Sequence, residues 1–259
     1  MTAAAPTPTV VLVHGAFNGA WCFDRLTPRL VDAGLDVIAV DLPGHGADPG
    51  PFGDLHDDAA RVRSVLDGVD PERGAVLLGH SYGGAVVTEA GVHPVVRRLV
   101  YVAAYALAAG ETCVDAAGAE FKEAGYSHRG RPNLGHAFVT DPDGPDPGLA
   151  TLDPAQVPGL FYTDCDPSTT AWALARLGAQ PLGNLRQPPA EVAWARTPST
   201  YAVTTEDMTV HPGLQRIMAA RCTSRVEWPT GHFPFLSRPE LVAGLLVAVA
   251  TEVAADSAQ

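Results

Sequence analysis

Gly79-His80-Ser81-Tyr82-Gly83-Gly84 follows directly on the apolar run Ala75-Val76-Leu77-Leu78 and leads into the small-residue stretch Ala85-Val86-Val87-Thr88-Glu89-Ala90. The order is Gly-x-Ser-x-Gly between a strand pattern and a buried-helix pattern. In that context the motif makes a sharp strand-to-helix turn that lifts the serine above a sheet as a nucleophile. Side chains at Gly79 and Gly83 would collide as the turn tightens. The competing reading is a serine at an ordinary helix N-terminus.

The strand signature recurs on both sides of this motif. Residues 10–13, 37–40, 75–78, 98–103, 200–203 and 225–228 are short strand-like runs, most of them apolar on consecutive positions. Such runs mark strands covered on both faces, and their alternation with helical patterns implies a parallel sheet with right-handed crossovers. Asp54 caps a helix that places Leu55, Ala59, Val62 and Leu66 on one face. Asp166-Pro167 starts another helix, and Ser237-Arg238-Pro239-Glu240 reads as a capping box opening the last one. The 21–33 stretch is helical in pattern with a break at Pro28. Between Tyr105 and Ser199 the rhythm stops. Residues 106–198, with the acidic turn-rich loop 141–148, read as a helical lid inserted into a single α/β domain spanning residues 1–259. No internal repeat is visible.

The chain has 259 residues, 46% of them hydrophobic, enough for one large core. Its formal net charge of -12 is unpatterned, which argues against a nucleic-acid partner and against anionic membranes. No apolar run approaches the ~20 residues of a membrane span, and 241–253 reads as a packed terminal helix. The first six residues lack the basic and apolar regions of a signal peptide. Cys22, Cys113, Cys165 and Cys222 are scattered. That spacing signals neither zinc nor a disulfide framework and fits free thiols in a cytoplasmic protein. No metal or cofactor is expected.

A serine hydroxyl needs a base, and the base needs a carboxylate to orient it. With Ser81 at an elbow, the expected chain order is serine, acid, histidine. His232, in Pro229-Thr230-Gly231-His232-Phe233-Pro234, follows the last strand pattern. It lies at the carboxyl end of the sheet, where ligands bind in open α/β folds. His14, His45, His56, His80 and His93 precede or border the elbow, His128 and His136 fall in the insert, and His211 begins a helix. The acid should follow the penultimate strand, where Glu206 and Asp207 stand side by side and both stay open. Two backbone N–H groups would hold the oxyanion, those of Tyr82 and of Ala16 in the loop after the first strand. Gly15 keeps that loop uncrowded, and His14 is read as bonding it. Aromatic residues gather at these loops (Phe17, Trp21, Tyr105, Phe233, beside Leu236) and in the insert (Phe121, Tyr126, Phe138, Phe161, Tyr162, Trp172). They point to an apolar small-molecule partner, and the lack of clustered Arg or Lys argues against a polyanion.

His14-Gly15-Ala16-Phe17 within 11–21, Asp41-Leu42-Pro43-Gly44-His45-Gly46, the Ser81 elbow, Thr205-Glu206-Asp207 and Gly231-His232 together resemble the α/β-hydrolase superfamily. Within it, the chain is most similar to the plant methylesterase and hydroxynitrile lyase family and its bacterial esterase relatives. The resemblance runs from residue 9 to the last helix and is weakest over 105–158. It implies an α/β-hydrolase fold with about six mostly parallel strands, helices on both faces and an inserted lid. It also implies a serine hydrolase that cleaves an ester, lactone or thioester of an apolar small molecule through an acyl-enzyme, with Asp207 rather than Glu206 as the acid. The family also holds C–C lyases. Those carry Thr where this chain has Gly15 and Lys where it has Phe233, so both positions resemble the esterase branch. Serine rather than aspartate at the elbow disfavours dehalogenase and epoxide hydrolase chemistry. The alternatives are a cofactor-independent lyase, cyclase or rearrangement enzyme using the triad as acid and base, or a small-molecule receptor with residual hydrolysis.

Overall fold

Alternate residues of each strand face opposite ways, and here both faces are apolar. Val11, Val13, Leu77, Leu99, Tyr101 and Val203 join one buried cluster, while Val10, Leu12, Val76, Leu78, Val100 and Ala202 join another. Each fully buried Val or Leu stabilises the fold by about 1.5–3 kcal/mol, so consecutive apolar residues are held in strands only while helices cover both sides. The computed structural model describes residues 7–123, 134–144 and 146–257.

In chain order the elements are β1 (Thr9–Val13), α1 (Thr27–Asp32), β2 (Val37–Val40), α2 (Leu55–Leu66), β3 (Ala75–His80), α3 (Gly83–Ala90) and β4 (Val96–Val102). The insert follows with α4 (Cys113–Glu123), β5 (Phe138–Thr140), β6 (Leu149–Leu152), α5 (Pro158–Phe161), α6 (Pro167–Leu174) and β7 (Gln180–Pro181). The sheet resumes with β8 (Ser199–Thr204), α7 (Pro212–Ala219), β9 (Ser224–Trp228), α8 (Pro234–Ser237) and α9 (Pro239–Ser257). Leu55 and Val62 of α2, Val86 of α3 and Leu214 of α7 bury one face of the sheet; Leu30 of α1 and Leu246 of α9 bury the other.

The strand order is β2-β1-β3-β4-β8-β9, and every neighbouring pair is parallel. The chain reverses direction across the sheet between β1 and β3, which lie side by side with Val13 opposite Gly79. A crevice therefore opens at the carboxyl ends of these two strands, the usual place for a ligand in such sheets.

The expected helical lid is corrected by the structure. Residues 106–198 carry α4, α5 and α6 but also an antiparallel sheet of order β5-β6-β7. The acidic 141–148 loop joins β5 to β6; short strands edged by Asp, Pro and Gly carry too weak a period to be read in advance. The expected capping box at Ser237 is also corrected. Ser237 closes α8, and its hydroxyl donates to Asp164 Oδ2 at 2.7 Å, while α9 begins at Pro239. The 21–33 stretch divides into two helical pieces as expected, a 3₁₀ turn at Ala20–Phe23 and α1, but the break falls before Pro28, which stands in the first turn of α1. Asp54 and Asp166 cap α2 and α6 as expected. Among the described residues no helix is long and apolar enough to cross a membrane.

Candidate active site

Ser81 has φ of +51°, the left-handed region that a side chain rarely adopts. The turn persists because the surrounding backbone leaves no room to relax. A Cβ at Gly79 would come within 2.5 Å of Gly83 O, and one at Gly83 within 2.7 Å of Val13 O. The elbow is thus packed against β1, and α3 begins under it with its positive end toward Ser81. Gly15 lies equally close, since a Cβ there would be 2.8 Å from Ser81 Cβ.

Of the two adjacent carboxylates, the structure brings Asp207 to His232 and leaves Glu206 exposed. His232 Nδ1–H donates to Asp207 Oδ2 at 2.7 Å, with His232 only 1% exposed. Asp207 Oδ2 also accepts from Thr204 Oγ1 (3.0 Å) and Gln215 Nε2 (2.9 Å), and Oδ1 accepts from the N–H groups of Thr209 and Val210. Five donors fix the position of this carboxylate. The bond at Nδ1 sets the imidazole tautomer with Nε2 as acceptor. Among the described residues neither Ser81 Oγ nor His232 Nε2 has a hydrogen-bond partner. His80 Nε2, one residue before Ser81, bonds the His232 carbonyl at 2.9 Å and ties the histidine loop to the elbow.

The N–H groups of Ala16 and Tyr82 also have no acceptor among the described residues, and the planes of their peptides are fixed from behind. Gly15 O, in the peptide that carries Ala16 N–H, accepts from His14 Nδ1 at 2.8 Å. His14 Nε2 in turn accepts from Leu42 N–H at 3.2 Å. Burial lowers the His14 pKa to about 3, so this neutral tautomer is locked. On the other side, Ser81 O, in the peptide that carries Tyr82 N–H, accepts from Gly84 N–H (2.9 Å) and Tyr105 N–H (3.1 Å). Tyr105 therefore reaches the site through its backbone.

The insert touches each of these loops. Leu160 O accepts from Thr209 Oγ1, and Asp164 Oδ2 accepts from Gly231 N–H at 2.9 Å. Gly178 N–H donates to Phe17 O at 2.9 Å, and Gln180 Oε1 accepts from Phe17 N–H and contacts His45 Nε2. Asp164, Gln180 and Gln215 were not singled out in the sequence. Asp164 and Gln180 act across 67 and 163 residues, and Gln215 reaches back only to Thr204 and Asp207, but no sequence pattern marks any of them.

The expected pocket residues separate into groups. Phe161 lies 5.6 Å from the His232 ring, and Phe17 lies 5.5 Å from Phe138 of β5. Phe233 is a correction: it is fully buried, with five ring neighbours at 4.7–5.4 Å, and belongs to the core rather than to an open wall. Trp21 is another. It packs edge-on against Trp172 and lines a cavity of about 610 Å³ with Asp24, Asp41, His45 and Arg176, away from Ser81 and His232. The Phe121 side chain, Tyr126 and His128 lie outside what the structure describes.

A wholly parallel sheet with an elbow serine, and a buried histidine–aspartate pair on the following strand ends, is the arrangement of an α/β hydrolase. Residues 10–245 match the Alpha/beta hydrolase family, and the chain belongs to it. It is 26% identical over 253 residues to an α/β hydrolase of Aspergillus novofumigatus, covering 92% of this chain and 95% of that one. It is 25% identical to a putative chloroplastic methylesterase of Arabidopsis thaliana, covering 93% of this chain and 71% of the other. Its structure superposes on a pyrethroid hydrolase from Sphingobium faniae with a TM-score of 0.78 and 25% identity, covering 94% and 97% of the two chains.

Proposed function

We propose that this α/β hydrolase is a serine esterase. Ser81 Oγ attacks the ester carbonyl while His232 Nε2 takes its proton, and Asp207 holds the imidazolium that forms. The N–H groups of Ala16 and Tyr82 receive the negative charge on the carbonyl oxygen. The alcohol leaves with the proton from His232, and water activated by the same nitrogen releases the acid. The observation that carries this reading is the buried 2.7 Å bond between His232 and Asp207, on loops 25 residues apart and beside the elbow. Relatives named as a methylesterase and a pyrethroid hydrolase support ester cleavage.

An apolar acyl or alcohol group suits the aromatic surroundings of the site, where buried Phe161 stands beside His232 and buried Phe17 packs on the half-buried Phe138, with residues 106–198 as the covering segment. Lactones and thioesters present the same carbonyl. The four free cysteines fit a reducing, cytoplasmic setting. A panel of esters tests the proposal. Aryl and methyl esters with apolar acyl groups should turn over with higher kcat/KM than short charged ones, and a preference for the charged ones would overturn the apolar assignment.

A further inference from the structure

Helix α2 buries Leu55, Ala59, Val62 and Leu66 on its apolar stripe, and in the same stripe it buries a carboxylate, Asp58, with no exposed surface. Buried carboxylates are expensive unless fully partnered. Asp58 is only half partnered: Oδ2 accepts from Tyr82 Oη at 2.5 Å and from Asn184 Nδ2 at 3.2 Å, while Oδ1 is buried with no partner. Tyr82 is 1% and Asn184 3% exposed. Asn184 belongs to the insert and also donates to Gly53 O at 3.1 Å, ahead of α2. Its neighbour Gln187 accepts from Leu55 N–H and donates to Asp54. A continuous buried polar path therefore runs from the insert through Asp58 to the residue that follows Ser81.

We propose that Asp58 is a positioning residue for the oxyanion site, holding the Tyr82 backbone through its phenol and registering the docked insert through Asn184. This rests on the assignment of Tyr82 N–H as an oxyanion donor. The Tyr82 phenol tip is anchored at Asp58, and the Ser81 carbonyl is anchored at Gly84 and Tyr105, so the N–H between them has no freedom to turn. Releasing the tip loosens one end of that span. Asp58 is also the one member of the path that titrates near neutrality. Burial raises its pKa to about 7 against the opposing hydrogen bonds from Tyr82 and Asn184, with Asp54 and Asp57 on its own helix adding to the rise. The groups facing the pair from other elements are Asn184, the Tyr82 phenol, whose own pKa burial raises further, and the Cys113 thiol of α4. Ionised, Asp58 accepts both donors. Protonated on Oδ1, it carries a donor with no acceptor among the described residues.

The test is steady-state hydrolysis of a p-nitrophenyl ester from pH 5 to 9 by the full-length protein and its Tyr82→Phe, Asp58→Asn and Asn184→Ala variants. Tyr82→Phe keeps the ring, and it should lower kcat about tenfold with KM within about twofold, the signature of lost transition-state positioning. The acid limb of kcat in the parent should be steeper than one proton because Asp58 adds to it, and Asp58→Asn should reduce it to one. Asn184→Ala should lower kcat less than Tyr82→Phe does. Tyr82→Phe at parental kcat across the range, with an acid limb of one proton in the parent, overturns the proposal while leaving the esterase reading intact. A parent inactive on every ester overturns both.

Discussion

The strand ends and the 158–190 part of the insert hold the same loops by different means. At the strand ends, position is set by packing without slack: Gly79, Gly83 and Gly15 let backbone press on backbone, and Ser81 is kept in a left-handed conformation by its surroundings. In the insert, position is set by a few polar ties: Leu160 to the Asp207 loop, Asp164 to the His232 loop, Gly178 and Gln180 to the Ala16 loop and Asn184 toward the elbow. Packing distributes its energy over many contacts, so damage there is felt by the whole fold. A lone hydrogen bond is worth about 1 kcal/mol, so its loss should act on one loop and leave the rest standing. The insert is therefore a fitted brace on the site.

This contrast can be broken or sharpened by substitution. The largest effect belongs to the chemistry common to both regions: Ser81→Ala should lower ester turnover by about 10³-fold or more without loss of folded protein, read by kinetics and circular dichroism. Next comes Gln215, whose amide is fully buried against Asp207 and Thr204. Gln215→Leu should lower kcat by about 10²-fold, because the carboxylate that orients His232 loses a donor and its registry. Gln180→Ala, which removes a buried amide holding Phe17 N–H and His45, should lower kcat only about fivefold to tenfold and lower the unfolding temperature by a few degrees without unfolding the protein. Gly83→Ala should do the opposite, costing about 1–3 kcal/mol of stability by overpacking against β1. If Gln180→Ala unfolds the protein, or Gly83→Ala costs nothing, the distinction between brace and packed floor fails.

The smallest effect concerns pH. Asp58 has a folded-state pKa of about 7, above the ordinary carboxylate value. Its contribution to stability is therefore fully present below the unfolded-state pKa and is lost as pH rises through 7. Thermal unfolding of Asp58→Asn should accordingly gain on the parent between pH 5 and 8. A constant difference over that range would mean that Asp58 does not titrate there.

The packed floor was legible in the sequence for the same reason that it is rigid. Gly-x-Ser-x-Gly between a strand and a helix, and His232 after the last strand, are local patterns with local steric causes. The inner strands β1, β3, β4 and β8 follow from consecutive apolar residues, while the edge strand β9 alternates Arg225, Val226, Glu227 and Trp228. Between Glu206 and Asp207 the residues alone were silent, and family resemblance together with burial distinguishes them. The brace was not legible, because Gln180 and Asn184 lie far along the chain from what they bind and occupy no repeating pattern. Asp58 did leave a trace: a carboxylate between Leu55 and Ala59, on the stripe that the helical period assigns to the core. The aromatic residues misled in part, since Phe233 and Trp21 are as apolar as a pocket wall but serve the core and a separate cavity.

The central claim is that the elbow makes Ser81 a nucleophile. Intact-mass and peptide analysis after treatment with a fluorophosphonate tests it most directly. One adduct is expected, on the peptide carrying Ser81, abolished by Ser81→Ala and strongly slowed by His232→Ala. A folded protein that resists the reagent, or that carries the adduct on another residue, contradicts it.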